Sequence, residues 1–439
     1  MRIVVSFAAG LFALTTSAFA QEAPPASPAL APTAVSSAQN ATASAHITLD
    51  DALRLALQHN HALLALRSTI LQNQAQEITA NLRPNPTLAW DAQFLPIFQP
   101  SQFTSDYLDN IAQFDAGLSY LFERGRKRQR RFAAAQDATS VVRFQVSDSE
   151  RLLAFNVAQQ FINVLFAEST LEFARQDLDS FQKTVDISEV RWHAGDMSEG
   201  DFLKIKLQLL QFQTDVSSAK LARVQALAGL RQFLGFESVP DDFDVTGDLD
   251  YQQENAALVD LKVLASRSRP DLIAAQQSVT AARSQEALAR ANAKQDLTAA
   301  ASYSHTGGVS SATVSFNIPL AIFNRNQGEI ARAGYVIAQA QQQFSEATQQ
   351  VSTDVLDAYE NLHTTDQIVQ LYRGGYVDQA RQSRDISEYA YRRGAASLLD
   401  FLDAERTYRA NQLAYRQSLA NYMLALEQLR QAVGTRNLP

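Results

Sequence analysis

Residues 186–203 read Asp186-Ile187-Ser188-Glu189-Val190-Arg191-Trp192-His193-Ala194-Gly195-Asp196-Met197-Ser198-Glu199-Gly200-Asp201-Phe202-Leu203, and residues 385–402 read Asp385-Ile386-Ser387-Glu388-Tyr389-Ala390-Tyr391-Arg392-Arg393-Gly394-Ala395-Ala396-Ser397-Leu398-Leu399-Asp400-Phe401-Leu402. Laid over each other without a gap, residues 186–235 and 385–434 share 16 identities in 50, including Gly195 with Gly394, Ser198 with Ser397 and Gly235 with Gly434. Chance does not easily do that. A weaker echo links Asn60-His61-Ala62-Leu63 to Arg269-Pro270-Asp271-Leu272, and Gln76-Glu77 to Gln285-Glu286. The chain is therefore a unit of about 200 residues written twice, too long for a solenoid repeat.

Outward from each small-residue reversal run long helical patterns. Residues 127–192 contain no proline or glycine, and Val146, Leu153, Val157, Phe161 and Val164 recur at three- and four-residue steps. At 1.5 Å per residue such a helix is about 100 Å long. Residues 202–234 form its returning partner, and in the second unit Leu419, Tyr422, Leu426, Leu429 and Val433 keep heptad spacing. The pattern predicts two coiled-coil-like antiparallel hairpins with glycine at their ends.

Ahead of each hairpin lie two strand-like segments. A helix-like stretch over Leu49–Leu82 stops at Arg83-Pro84-Asn85-Pro86. Leu88, Trp90, Ala92 and Phe94 then alternate with Thr87, Ala89, Asp91 and Gln93, and Phe114, Ala116, Leu118 and Tyr120 with Gln113, Asp115, Gly117 and Ser119. The second unit repeats this with Leu297, Ala299, Ala301 and Tyr303, then Val314, Phe316 and Ile318, around a shorter loop at Gly307-Gly308. The expected strands are 87–94, 113–121, 297–304 and 312–319. Alternation of this kind suits a half-buried soluble sheet or a transmembrane β-barrel, in which Trp90, Phe94, Phe114, Leu118, Tyr303 and Phe316 face lipid.

The N-terminus carries Arg2, an apolar run over 3–14 and Ala18-Phe19-Ala20, the pattern of a signal peptide spanning 1–20. Residues 21–46 are rich in Ala, Pro, Ser and Thr and read as a disordered leader. The expected divisions continue with a first repeat at 47–235, a linker at 236–256, a second repeat at 257–434 and a tail at 435–439. No later stretch has the roughly 20 apolar residues of a helical span. The formal net charge of −8 gives no general affinity for nucleic acid, and the chain has no cysteine for disulfides or thiolate metal sites.

Together these features resemble the TolC-like outer-membrane efflux proteins, most specifically in Gly394-Ala395-Ala396-Ser397-Leu398-Leu399-Asp400-Phe401-Leu402-Asp403-Ala404. Phe122-Glu123-Arg124-Gly125-Arg126 and Ile318-Pro319-Leu320-Ala321-Ile322-Phe323-Asn324-Arg325-Asn326-Gln327-Gly328 are similar to the family's strand-to-helix junctions, the second resembling the heavy-metal cation efflux branch. The resemblance implies a mainly α fold with a membrane β part: helical hairpins form an α-barrel in the periplasm, and each subunit gives four strands to a shared transmembrane β-barrel. It further implies a homotrimer, a periplasmic adaptor, an inner-membrane pump of the resistance-nodulation-division type, outer-membrane lipid as surroundings, no cofactor and no enzymatic reaction. The residues alone also require association, because four strands cannot close a barrel, though they permit two copies as well as three.

By the same resemblance Asp400 and Asp403, with Asp201 as the repeat partner of Asp400, form an acidic pore constriction. The plainer alternative is acid that complements a helix start. Tyr391 takes the place of a gate tyrosine, or else packs between helices. The family's arginine two residues after the tip glycine is replaced by Ala396, leaving Arg392 or Arg393 to substitute. Gly195, Ser198, Gly394 and Ser397 are the expected hairpin tips and adaptor-docking residues. Six of the eight residues over 124–131 are basic, placing positive charge at the inner membrane face or on a solvated helix start. The six histidines form no ligand cluster, and no nucleotide-binding or nucleophile motif is present. A periplasmic scaffold or an adaptor remains the alternative, although an adaptor has one hairpin and a scaffold needs no alternating strands.

Overall fold

A computed structural model describes residues 46–439. The expected signal peptide (1–20) and the leader up to residue 45 lie outside the described residues. In chain order, β1 (His46–Ile47) leads into α1 (Leu49–His59), α2 (His61–Asn81), β2 (Thr87–Gln93), the short α3 (Ser105–Asn110) and β3 (Gln113–Phe122). The first hairpin is α4 (Lys127–His193) with α5 (Glu199–Leu234), followed by β4 (Asp244–Val245). The second unit comprises α6 (Leu258–Ser268), α7 (Pro270–Asn292), β5 (Leu297–Thr306), β6 (Val309–Asn317), α8 (Gln327–Leu371), α9 (Val377–Arg392) and α10 (Leu398–Val433).

The continuous helix expected over Leu49–Leu82 is broken at Asn60. Its backbone is extended, its side chain accepts the Leu63 N–H at 3.0 Å, and its Nδ2 donates to the Phe233 carbonyl at 3.1 Å. Asparagine competes with the helix for nearby backbone groups, so the break is tied to the end of α5. The same break recurs at Arg269, where Pro270 opens α7 and the buried guanidinium ion-pairs with Asp354 at 2.7 Å and donates to the Ala432 carbonyl at 3.2 Å. The weak echo between these tetrapeptides thus marks a shared joint. His59 and His61, expected on one helix, consequently sit on two. Among the described residues no His, Cys, Asp and Glu cluster is placed to hold a metal.

The strands form one antiparallel sheet in the order β2-β3-β5-β6. Its register aligns Leu88 with Leu118, Leu118 with Ala301, and Ala301 with Val314. Trp90, Ala116, Tyr303 and Ala312 align likewise, as do Tyr120, Ala299 and Phe316. Since paired residues share a face, the apolar rows coincide on one side and Asp91, Asp115, Ser304 and Ser311 fall on the other. Phe94 is an exception: it lies one residue beyond the last pair, Gln93 with Gln113, at φ 55°, so the alternation does not reach it. β5 and β6 extend to a two-residue turn, Gly307-Gly308, both at positive φ as a tight hairpin demands. β6 stops at Asn317, short of the expected residue 319, and Pro319, without an N–H, cannot extend the ladder.

Among the described residues, helices pack in three large apolar clusters and a small one of Leu171, Ala174 and Ala219. Ile47, Val157, Phe161, Val164, Leu230 and Val245 join α1, α4 and α5 to β4, which pairs in parallel with β1, so the expected linker at 236–256 is stitched to the start of the first unit. Leu261, Val355, Val369, Tyr422, Leu429 and Val433 join α6, α8 and α10, and include most of the heptad positions. The third cluster lies toward the hairpin ends. Between α8 and α9 a π-type bulge over Tyr372–Tyr376 interrupts the helix, with Gly375 at φ 108°. Just before it, the Tyr251 hydroxyl donates to Asp366, and from within it the Arg373 guanidinium lies 4.8 Å over the Tyr251 ring.

Candidate functional site

Both hairpins reverse by the same local chemistry. At the end of α4, Gly195 has φ 84° and the Asp196 N–H reaches back to the Arg191 carbonyl at 2.9 Å; at the end of α9, Gly394 has φ 74° and the Ala395 N–H reaches the Ala390 carbonyl at 2.8 Å. These are Schellman closures, which need a left-handed residue after the helix. Ser198 and Ser397 then start the returning helices, their hydroxyls accepting the N–H groups of Asp201 at 3.1 Å and Asp400 at 3.2 Å. A Cβ built on either glycine meets nothing within 4 Å, so both ends are open surface.

The acidic residues are engaged locally. Asp400 completes a capping box, its carboxylate accepting the Ser397 hydroxyl at 2.7 Å, and the Ser397 side chain and backbone hold its carboxyl below the usual range. Asp201 is likewise lowered, first by Lys204 at 3.0 Å and then by Ser198. Asp403, exposed one turn further along α10, pairs with Arg406 at 2.7 Å. Asp201 lines a cleft of about 540 Å³ between the two hairpin ends, together with Arg191, Lys204, Tyr391 and Leu402, whereas Asp400 and Asp403 lie outside it.

Tyr391 is buried. Its ring stacks on Phe401 with centroids 5.4 Å apart, within the third cluster of Phe181, Val185, Ile205, Phe212 and Leu398. Burial pushes its hydroxyl pKa up. Arg392 is bound to Glu388, and Arg393 lies 5.3 Å over Tyr389. Arg191 of the other hairpin reaches Tyr391, donating to its carbonyl at 3.3 Å with the guanidinium 5.6 Å over the ring. Its repeat counterpart is Ala390, so the duplication gave no signal for it.

A buried charge network above the tips also escapes sequence reasoning. Arg409 of α10 pairs with Asp177 of α4 at 2.6 Å and with Asp215 of α5, while Arg384 of α9 lies 3.9 Å from Glu405. Glu405 is pushed up to about 7, chiefly by burial and then by the Asp177 charge. A carboxyl raised above its unfolded value is disfavoured while ionised, so packing loses stability as pH rises through about 7 and recovers as pH falls toward the unfolded value. Glu405→Gln is therefore expected to raise the melting temperature above about pH 8 and flatten its slope between about pH 5 and 8. Thermal unfolding of the oligomer across that range checks this; an unchanged slope contradicts it.

The sequence profile described as Outer membrane efflux protein matches residues 52–236 and 261–435, one match per unit. The chain is 23% identical to the cobalt-zinc-cadmium resistance protein CzcC of Cupriavidus metallidurans over 382 residues, covering 85% of this chain and 86% of that protein. It is 26% identical to the pyoverdine export outer membrane protein OpmQ of Pseudomonas aeruginosa, covering 88% and 83%. The crystal structure of the Campylobacter jejuni CmeC outer membrane channel superposes with a TM-score of 0.73 at 15% identity, covering 89% of this chain and 86% of that one. With two matched units, a four-stranded sheet apolar on one face and paired long hairpins, the chain belongs to the outer membrane efflux protein family, as a passive outer-membrane channel subunit that gives its strands to a shared β-barrel and its helices to a periplasmic α-barrel.

Proposed function

We propose that three copies of this chain form the exit duct of a tripartite heavy-metal cation efflux system. Gly195, Ser198, Gly394 and Ser397 present the hairpin ends to a periplasmic adaptor, which couples the duct to an inner-membrane pump of the resistance-nodulation-division type. Asp400, Asp403 and Asp201 line its constriction, and Tyr391 belongs to the gate. The observation that carries the reading is the pair of matching open reversals, each followed by acid in the first helical turn. Similarity to CzcC, a resistance protein for cobalt, zinc and cadmium, supports the choice of cargo.

The test is complementation of a deletion strain, scored as tolerance to zinc, cobalt and cadmium salts. Gly195→Val with Gly394→Val forces β-branched residues into left-handed backbone, at about 1–2 kcal/mol per site, too little to unfold helices of this length. Tolerance is expected to drop about tenfold or more, near the level of the deletion, while the oligomer remains in the outer membrane, on the order expected when a required contact surface is lost. Normal tolerance in the double variant removes the docking role. Metal tolerance unaffected by deletion of the wild-type gene removes the proposed cargo, and pyoverdine export, suggested by OpmQ, becomes the next assay.

A further inference from the structure

The basic run after β3 is a property of one unit and not of the junction's geometry. Arg126 and Asn326 are equivalent, since each holds left-handed backbone, at φ 59° and φ 60°, immediately before the long helix of its unit. Matching from that point sets Arg124, Lys127, Arg128, Arg130 and Arg131 against Asn324, Gln327, Gly328, Ile330 and Ala331. Arg325 falls against Gly125, so a junction of this shape forms with one cation where the first has six. Arginine at position 126 also occupies a conformation that asparagine adopts more readily, a cost that the geometry of the turn does not explain.

Two of these cations serve the fold: Lys127 pairs with Asp296 at 2.7 Å, and Arg131 pairs with Glu123 at 2.7 Å and donates to the Ala80 carbonyl at 2.9 Å. Arg83 and Arg128 make no ion pair among the described residues, and they meet in one cleft of about 260 Å³ with Tyr120 and Phe122. Those aromatic residues lie in edge-to-face contact 4.8 Å apart. By register they belong to the apolar face that carries Leu118 and Trp90, at the end of the sheet from which α4 departs into the periplasm. The Lys127–Asp296 and Arg131–Glu123 pairs neutralise each other at the cleft's margin, leaving the charge of two guanidinium groups. The site thus opens where acyl chains give way to headgroups on the periplasmic side.

We propose that this cleft binds the phosphate headgroup of an anionic phospholipid in the periplasmic leaflet of the outer membrane, with Arg83 and Arg128 holding the phosphate and Tyr120 and Phe122 flanking the glycerol and upper acyl chain. Guanidinium groups suit phosphate oxygens, and aromatic side chains suit the interfacial depth. Each subunit carries one such site, because the second junction has Gly328 in the place of Arg128.

Native mass spectrometry of the purified full-length oligomer in detergent tests this, with phosphatidylglycerol and phosphatidylcholine offered in equal amounts. At about fivefold per basic side chain near an anionic lipid surface, the wild type is expected to retain phosphatidylglycerol in preference by roughly tenfold or more. That preference should shrink as salt is raised. Arg83→Gln with Arg128→Gln is expected to bring the ratio close to one, while Arg325→Gln at the second junction leaves it unchanged. Equal retention of both lipids by the wild type overturns the proposal, as does a preference that survives the double substitution. Displacement of the lipid by inorganic phosphate at matched concentration overturns it as well, by showing a site for free phosphate. Should the double variant fail to assemble, the wild-type ratio and its salt dependence decide.

Discussion

Leu118→Arg is expected to abolish the assembled channel, whereas Thr313→Arg is expected to leave it intact. Leu118 lies mid-strand in β3, level with Leu88, Ala301 and Val314 on the apolar face, while Thr313 faces the other way beside Ser302. An arginine facing lipid near the bilayer midplane costs about 2–4 kcal/mol, and the lumen face carries no such penalty. The cost recurs in every subunit of a shared barrel, so it competes with the whole margin of assembly. Trp90→Arg is expected to behave like Leu118→Arg. Outer-membrane fractionation followed by electrophoresis of unheated samples reads the result as loss or retention of the oligomer band. Retention with Leu118→Arg and loss with Thr313→Arg would reverse the faces of the sheet.

The second large effect concerns the proposed constriction. Rotational symmetry turns each aspartate into a ring of one carboxylate per subunit, in a passage whose walls strengthen the field. Alanine is a poor probe at position 400, because the Asp400 carboxylate completes the capping box with Ser397. Asp400→Asn with Asp403→Asn keeps hydrogen-bond acceptors and removes only charge. In planar bilayers the double variant is expected to lose cation selectivity, and block by multivalent cations should weaken by about tenfold or more, in line with the charge removed. In the parent both properties should fade as salt screens the rings. Unaltered selectivity and block would leave these residues the role that the single chain already displays, neutralising a helix start and pairing with Arg406.

Local signals made most of this fold legible. Residues 127–192 lack proline and glycine, and the structure ends α4 one residue later, because the first residue able to take left-handed backbone cheaply is Gly195. The strand alternation was equally plain, and register then showed that all four apolar rows share a face. Asn60 was harder: it sits inside a helical pattern, and the break it makes joins a local cap on Leu63 to a bond with the Phe233 carbonyl, across 173 residues. Phe94 continued a period whose ladder had already ended. The tip residues could be named from the duplication, but Arg191 against Tyr391 and Asp177 against Glu405 could not. Those contacts join different hairpins, and neither period nor repeat encodes which hairpin faces which.

The bulge at Tyr372–Tyr376 makes the two hairpins mechanically unequal. α4 runs as one unbroken rod, whereas the second unit's descending helix is jointed below the point where Tyr251 grips Asp366. From the joint to Gly394 is a lever of about 27 Å at helical rise. A lean of about 10° at the joint, within the range of bends that π-bulges accommodate, swings its end by about 5 Å. In a ring built from such staves, stiff ones alternate with hinged ones, so compliance is concentrated where the hinged staves end. The tips of the hinged staves are thus the compliant end of each subunit.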